Sequence, residues 1–209
     1  MADGYRTVAG ESFHETEVNR SRFLCALAPV GDEEAAGAFV ARARAAHPTA
    51  SHTCWAYVLG ADASVQRSSD DGEPGGTAGL PMLQMLLRRE VRFTIAVVTR
   101  WFGGTKLGAG GLIRAYGGAV GAALDAAGTV TRHRLRLASV TVGHERAGRL
   151  ENELRAGGYA VRGVDYGAEV TIGVALPADR TEAFRAWLAG ATAGAARLDL
   201  GGETWTAPA

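Results

Sequence analysis

The sequence predicts an α+β protein of two domains. Its 209 residues fit one or two domains of about 100–200 residues each, and 47% hydrophobic with 21% charged residues is typical of soluble globular proteins. Segments that alternate between apolar and polar residues are interspersed with segments of helical period. The pattern breaks near residues 128–134, where Gly128 and a turn-like Thr131-Arg-His-Arg precede a new series of elements. We therefore expect domains at 1–130 and 131–209.

The first domain is predicted to contain four strands and three helices. Asn19-Arg20 forms the turn of a hairpin, Asp32 caps the first helix, and His47-Pro48 ends it. Pro81 suits the first turn of the second helix, and residues 60–79 are expected to form a loop. The predicted strands are Phe13–Val18, Ser21–Pro29, Ser51–Leu59 and Arg92–Thr99, and the predicted helices are Asp32–Ala46, Leu80–Arg89 and Gly110–Ala127.

The second domain has the element order β-α-β-β-α-β, which is the ferredoxin-like order. Gly157-Gly158 ends its first helix, and Gly167 marks a hairpin. The predicted strands are Leu135–Val142, Tyr159–Tyr166, Glu169–Leu176 and Ala195–Leu200, and the helices are Glu145–Ala156 and Thr181–Ala189.

Charge and composition exclude several classes of protein. The 22 basic residues balance 22 acidic ones, so any nucleic-acid binding must come from a local patch. The N-terminus has acids where a signal peptide needs bases, and inserting Arg114, near the centre of the apolar stretch Leu107–Leu124, into a bilayer would cost about 2.5–3.5 kcal/mol. We expect a cytoplasmic protein with no membrane partner, in which Cys25 and Cys54 are buried free thiols.

Two glycine-rich segments stand apart from the core elements. Residues 67–79 carry an acidic surplus, whereas residues 98–116 follow a strand and open a helix. Glycine lets the backbone approach a ligand closely, and the first N–H groups of a helix are unpaired, so the second segment suits an anion. Between Val91 and Leu124 there are four basic residues and no acid, and Lys106 is the only lysine of the chain.

Arg114 falls in the first turn of the predicted helix, where the helix dipole disfavours a cation by a few tenths to about 1 kcal/mol. We therefore expect an anionic partner for it. That partner is either an external phosphate or the acidic segment, whose carboxylates would then form an internal ion network with the basic one. Under both alternatives, the two loops meet at the end of a strand and form a cleft.

The candidate site consists of binding residues only, and we expect no catalytic residue, metal or cofactor. Arg100, Lys106 and Arg114 would contact phosphate, the loop 103–111 would supply backbone N–H groups, and Trp101 or Phe102 would stack on a base. The complete candidate set is Asp70, Asp71, Glu73, Arg100, Trp101, Phe102, Gly103, Gly104, Lys106, Gly108, Gly110, Gly111 and Arg114.

Other known site patterns are absent or weak. Neither the Walker A spacing nor the dinucleotide G-x-G-x-x-G spacing is met. His52 and Cys54 share a strand face, but packing is favoured over metal ligation because no further ligand pair completes a site. The acids at 70, 71 and 73 offer oxygen ligands for Mg²⁺, yet an acidic turn at a helix start is the commoner arrangement.

The two segments resemble the signature of the IMPACT (YigZ-type) family. The shared motifs are Ser21-Arg-Phe, His52-x-Cys-x-Ala-Tyr, Ser69-Asp-Asp-Gly-Glu-Pro, Gly76-Thr-Ala-Gly-x-Pro and Val98-Thr-Arg-x-Phe-Gly-Gly-x-Lys-Leu-Gly-Ala-Gly-Gly-Leu-x-Arg-Ala-Tyr. This sequence departs from the family pattern at Gly75, Trp101 and Thr105. The resemblance implies an N-terminal domain like the second domain of ribosomal protein S5 and a ferredoxin-like C-terminal domain similar to the last domain of elongation factor G.

The resemblance also implies a role in translation, because eukaryotic relatives act in translational control, and it supplies no catalytic residues. We expect a non-enzymatic regulator of translation whose partner is RNA, a ribosome or a protein. The alternative is an enzyme acting on a phosphorylated small molecule or nucleotide, with Asp70 or Asp71 beside Lys106. A third alternative is a protein-interaction module with a purely structural loop network. The sequence does not define the oligomeric state.

Overall fold

The computed structural model describes residues 4–206, which divide into two compact units. One unit ends at Arg132 and the other begins at His133. The described part of the chain contains two sheets and five α-helices, so the predicted α+β class is confirmed. None of the helices in this range is both long enough and apolar enough to cross a bilayer.

The N-terminal unit is built on an antiparallel sheet with the order β2-β3-β6-β4-β5. Its strands are β1 (Gly4–Thr7), β2 (Ser12–Val18), β3 (Ser21–Pro29), β4 (His52–Leu59), β5 (Val65–Ser69) and β6 (Thr94–Trp101), where β1 lies outside this sheet. Its helices are α1 (Glu33–Ala46), α2 (Gly79–Arg88) and α3 (Gly108–Ala127). Asp32 caps α1 as predicted, since its Oδ1 accepts a 2.7 Å hydrogen bond from the Ala35 amide.

The two faces of this sheet pack against different helices. Phe23 and Cys25 belong to the core under α2 and α3, whereas Ala26 and Val97 pack with Phe39 of α1. Successive residues of a strand point to opposite faces. At the end of β6, Arg100 therefore lies on the α2–α3 side and Trp101 on the α1 side, which separates two residues that are neighbours in sequence.

Three elements of this unit differ from the predictions. The predicted loop 60–79 contains β5, a mostly exposed polar strand that pairs with the outer edge of β4. Strand β1, whose Arg6 bridges Val91, was not predicted. Helix α3 begins at Gly108 rather than Gly110. Arg114 therefore lies in the second turn, where the dipole penalty expected for a first-turn cation has faded.

The C-terminal unit is the predicted ferredoxin-like domain. Its elements are β7 (Val130–Val142), α4 (His144–Ala156), β8 (Ala160–Tyr166), β9 (Val170–Pro177), α5 (Thr181–Thr192) and β10 (Arg197–Trp205). The strands pair antiparallel in the order β10-β7-β9-β8. Alternate residues such as Val140 and Ile172 meet Leu154 and Phe184 of the two helices in one apolar core.

Candidate functional site

Asp70 builds the acidic loop and caps helix α2. Its Oδ1 accepts hydrogen bonds from the amides of Ala78 (3.0 Å) and Gly79 (2.9 Å), and its Oδ2 accepts one from the amide of Gly76 (2.9 Å). Burial raises the pKa of Asp70, but the three backbone donors outweigh it and hold the pKa below its usual value. Ala78, at the N-cap position of α2, has no capping side chain. Asp70, eight residues earlier in the chain, supplies the acceptor that the helix start requires.

Asp71 fixes the same loop to its neighbours. Its Oδ1 is 2.6 Å from Arg44 Nη2 of α1, and its Oδ2 accepts a 2.6 Å hydrogen bond from the amide of Thr53. The carbonyl oxygen of Asp71 lies 2.9 Å from His52 Nδ1. Both carboxylates considered as metal ligands or bases in an enzyme thus have structural partners: Asp70 caps α2, and Asp71 holds the loop on β4 and α1.

Glu73 and Arg100 form a buried ion pair that joins the two glycine-rich segments. Glu73 Oε1 lies 2.6 Å from Arg100 Nη1, and both side chains are about 95% buried. Tyr116 donates a 2.7 Å hydrogen bond to the same oxygen, and burial raises the pKa of this tyrosine so that its hydroxyl stays protonated. Arg100 Nη2 donates to Ser21 Oγ (3.3 Å). The internal-network alternative is therefore correct for this one pair, and Arg100 is a structural cation rather than an exposed phosphate contact.

The polar groups around this pair are incompletely satisfied. Glu73 Oε2 is 3.9 Å from His52 Nε2, which is beyond hydrogen-bond distance. Arg100 Nε is buried and has no hydrogen-bond partner within residues 4–206. The rings of Phe23 and Phe102 lie 5.4 Å and 5.6 Å from the guanidinium carbon.

The glycine loop after β6 packs closely on the β2–β3 hairpin. A Cβ at Gly103 would lie 2.0 Å from the backbone oxygen of Arg20, so no larger residue fits there. The Gly103 amide donates to Ser21 Oγ (3.2 Å), and Gly104 turns the chain at a φ of +87°. Three more of the predicted glycines form the first turn of α3, which has no side-chain cap: Gly108, Gly110 and Gly111.

Lys106 and Arg114 are exposed on this loop and on α3. Neither forms an ion pair with another residue in the described range 4–206. Phe102, next to them, is 49% exposed. This part of the surface therefore presents two unneutralised cations beside an aromatic ring.

A cavity of about 330 Å³ lies between the acidic loop and the start of α3. Five of its lining residues belong to the predicted set, namely Glu73, Arg100, Phe102, Lys106 and Gly108. The others are apolar and were not predicted: Pro74, Leu107, Ala109 and Leu112. The remaining candidate residues do not line this cavity.

Trp101 is on the other face of the sheet. The Arg22 guanidinium lies 4.0 Å from the centre of its ring, and the His47 ring lies at 5.3 Å. Its Nε1 is 3.4 Å from Thr49 Oγ1. Trp101 and Phe102 therefore do not form one stacking surface, and only Phe102 adjoins the cavity.

Sequence reasoning missed three contributors to this network. Tyr116 was noted as the end of a motif, Ser21 as the start of a strand and of a motif, and His52 was considered with Cys54 rather than with Glu73. No periodicity distinguishes them from core positions, so their presence in the family motifs was the signal that could have found them. No group of three or more His, Cys, Asp and Glu side chains in the described ranges is arranged to hold a metal ion.

Comparisons with known proteins agree with the motifs. Residues 19–124 match the Impact N-terminal domain, and residues 140–195 match a domain of unknown function (DUF1949). IMPACT family member YvyE of Bacillus subtilis is 40% identical over 98% of this chain and 94% of its own length. IMPACT family member YigZ of Escherichia coli is 41% identical over 87% of this chain and 90% of its own length.

A solved structure shares the fold as well. The crystal structure of a hypothetical protein superposes with a TM-score of 0.68 at 38% identity, covering 95% of this chain and 97% of that one. The matches extend over both units and include the two glycine-rich segments that build the ion pair and the cavity. The chain belongs to the IMPACT family.

Proposed function

We propose that the protein is a non-enzymatic regulator of translation that binds RNA or the ribosome through the basic glycine-rich loop. Lys106 and Arg114 contact phosphate groups in this proposal. The observation that carries it is that these two cations are exposed and unpaired within residues 4–206, although the chain as a whole is neutral. Phosphate contacts from Lys and Arg supply most of the affinity of sequence-independent binding to nucleic acids.

The surroundings of the two cations support an anionic ligand. The acids of the facing loop do not neutralise them, because Asp70 caps α2, Asp71 pairs with Arg44 and Glu73 pairs with Arg100. The first turn of α3 also leaves backbone N–H groups uncapped, and such groups favour phosphate.

The same contacts argue against the enzymatic alternative. A catalytic or metal-binding role for Asp70 would break three hydrogen bonds that hold the start of α2. A role for Asp71 would release the loop from β4 and α1. The resemblance to eukaryotic relatives in translational control favours the ribosome as the place of action.

Co-sedimentation with ribosomes and their separated subunits tests this proposal. Each phosphate contact on single-stranded RNA contributes about 0.7 to the salt slope, so two contacts give a log–log slope near −1.4. Raising the salt from about 50 mM to about 200 mM should then weaken binding about sevenfold. Lys106→Ala/Arg114→Ala should lose the association and its salt dependence.

The matched control is Arg88→Ala/Arg162→Ala, which removes the same charge from two other exposed positions. It should sediment like the wild type. Circular dichroism establishes that both double variants are folded. The proposal is overturned if the wild type fails to associate at low salt, or if the two double variants lose binding equally.

A further inference from the structure

We propose that the cavity between the acidic loop and α3 binds one unpaired nucleotide of single-stranded RNA. This inference rests on the proposed function and names the kind of RNA that the site accepts. In it, the base enters the cavity, and the adjoining phosphate lies on Lys106 at the rim.

The walls of the cavity suit a planar, largely apolar group. Phe102 contributes an aromatic ring that is half exposed, and Leu107, Leu112 and Pro74 contribute aliphatic surface. Stacking of a base on an aromatic side chain is favourable for every base. A volume of about 330 Å³ is at the small end of ligand sites, which span about 300–1,000 Å³, so one nucleotide fits better than two.

The polar end of the cavity is formed by the Glu73–Arg100 ion pair. Glu73 Oε2 is 3.9 Å from His52 Nε2, beyond hydrogen-bond distance, so this oxygen can accept a hydrogen bond from the edge of a base. Arg100 Nε is itself inaccessible, so Arg100 contributes its charge and its hold on Glu73 rather than a donor to the base. Ser21 and Tyr116 hold the pair in place, so the site needs little reorganisation on binding.

The position of the charges selects an unpaired strand. Bases in a duplex are stacked inside the helix, whereas unpaired bases of single-stranded RNA can be splayed out onto aromatic side chains. With a base seated against Phe102, its phosphate reaches Lys106 and the uncapped first turn of α3. A duplex would reach only the exposed cations.

Filling the cavity without changing any charge tests this inference. Ala109 lines the cavity at the exposed first turn of α3, so Ala109→Trp places an indole where the base would lie. Ala126→Trp is the matched control, because it adds the same side chain to an exposed alanine at the other end of the same helix. Fluorescence anisotropy of the full chain is measured with a labelled octanucleotide RNA, with the same RNA as a duplex, and with free nucleoside monophosphates as competitors.

We expect Ala109→Trp to weaken binding of the single strand tenfold or more, because one stacked base is lost. Its affinity for the duplex should not change, and Ala126→Trp should bind both RNAs with the affinity of the wild type. Equal affinity of Ala109→Trp and wild type for the single strand would overturn this inference and leave the proposed function standing. If no RNA binds at low salt, the proposed function fails, and this inference fails with it. Binding of free monophosphates alone, abolished by Ala109→Trp, would assign the cavity to a free nucleotide and would also overturn the RNA assignment.

Discussion

Replacing Glu73 by Gln tests whether the buried ion pair holds the two glycine-rich segments together. The substitution keeps the shape of the side chain and an acceptor for Tyr116, but leaves the Arg100 charge without a counter-charge in a 95% buried position. Removing one partner of a buried ion pair typically costs about 3–5 kcal/mol. The same change at Glu33, whose ion pair with Arg67 is half exposed, should cost no more than about 1 kcal/mol.

Native-state hydrogen exchange followed by mass spectrometry measures this cost in the whole chain. Amides of β6 lie between β3 and β4 in the centre of the sheet and report on the N-terminal unit alone. At 1.4 kcal/mol per tenfold, Glu73→Gln should speed their exchange about 100-fold or more, and Glu33→Gln less than about tenfold. Replacing both partners, as in Glu73→Leu/Arg100→Met, should restore part of the protection. If Glu73→Gln exchanged as slowly as Glu33→Gln, the pair would not be the structural link described above.

Three further predictions follow from the contacts of single residues. Folding lowers the pKa of Asp70 from its ordinary 3.8, so the stability that its carboxylate contributes is complete above about pH 4 and is lost as the pH falls through the lower, folded pKa. Urea unfolding should therefore show that Asp70→Asn loses less stability in acid than the wild type does. Gly103→Ala places a Cβ 2.0 Å from a backbone oxygen and should lower the melting temperature. Gly118→Ala, whose added Cβ lies in open space within α3, should instead raise the stability by about 0.5–1 kcal/mol. Equal effects of the two substitutions on the melting temperature would refute the close packing of the loop. Burial raises the pKa of Cys25 and raises that of Cys54 to about 12. Iodoacetamide at pH 8 should therefore label neither thiol until urea is added. Rapid labelling of the folded chain would contradict the burial of the two thiols.

Hydrophobic periodicity was sufficient for most elements of the fold. Helix α1 was predicted to within one residue, with its Asp32 cap, because an amphipathic pattern and a start signal coincide in the sequence. Strand β5 was missed because it is a polar edge strand, and its sequence Val-Gln-Arg-Ser-Ser carries no apolar alternation. Its pairing depends on β4, which presents a free edge to it.

The candidate site was predicted as two loops, but the partners within it were not. Glu73 and Arg100 are 27 residues apart, and nothing local in the sequence distinguishes Glu73 from Asp70 or Asp71 as the partner of Arg100. The start of α3 was placed two residues late, because a run of glycines gives no sharp helix signal. That small shift removed the dipole argument for an anion at Arg114.

By itself, the sequence determined the order of the elements, the α+β class, the two glycine-rich segments and the family resemblance, since all of these are recorded in local pattern and composition. Only the tertiary structure decided which cations are available to a ligand. The pleat of β6 turns Arg100 inward to Glu73 and Trp101 to the opposite face, whereas Lys106 and Arg114 are exposed on the loop and the helix that follow the strand. The physical reason is that the electrostatic role of a charged side chain depends on its burial and on its nearest counter-charge. Both are set by the pairing of strands, which brings together residues that are far apart in the chain.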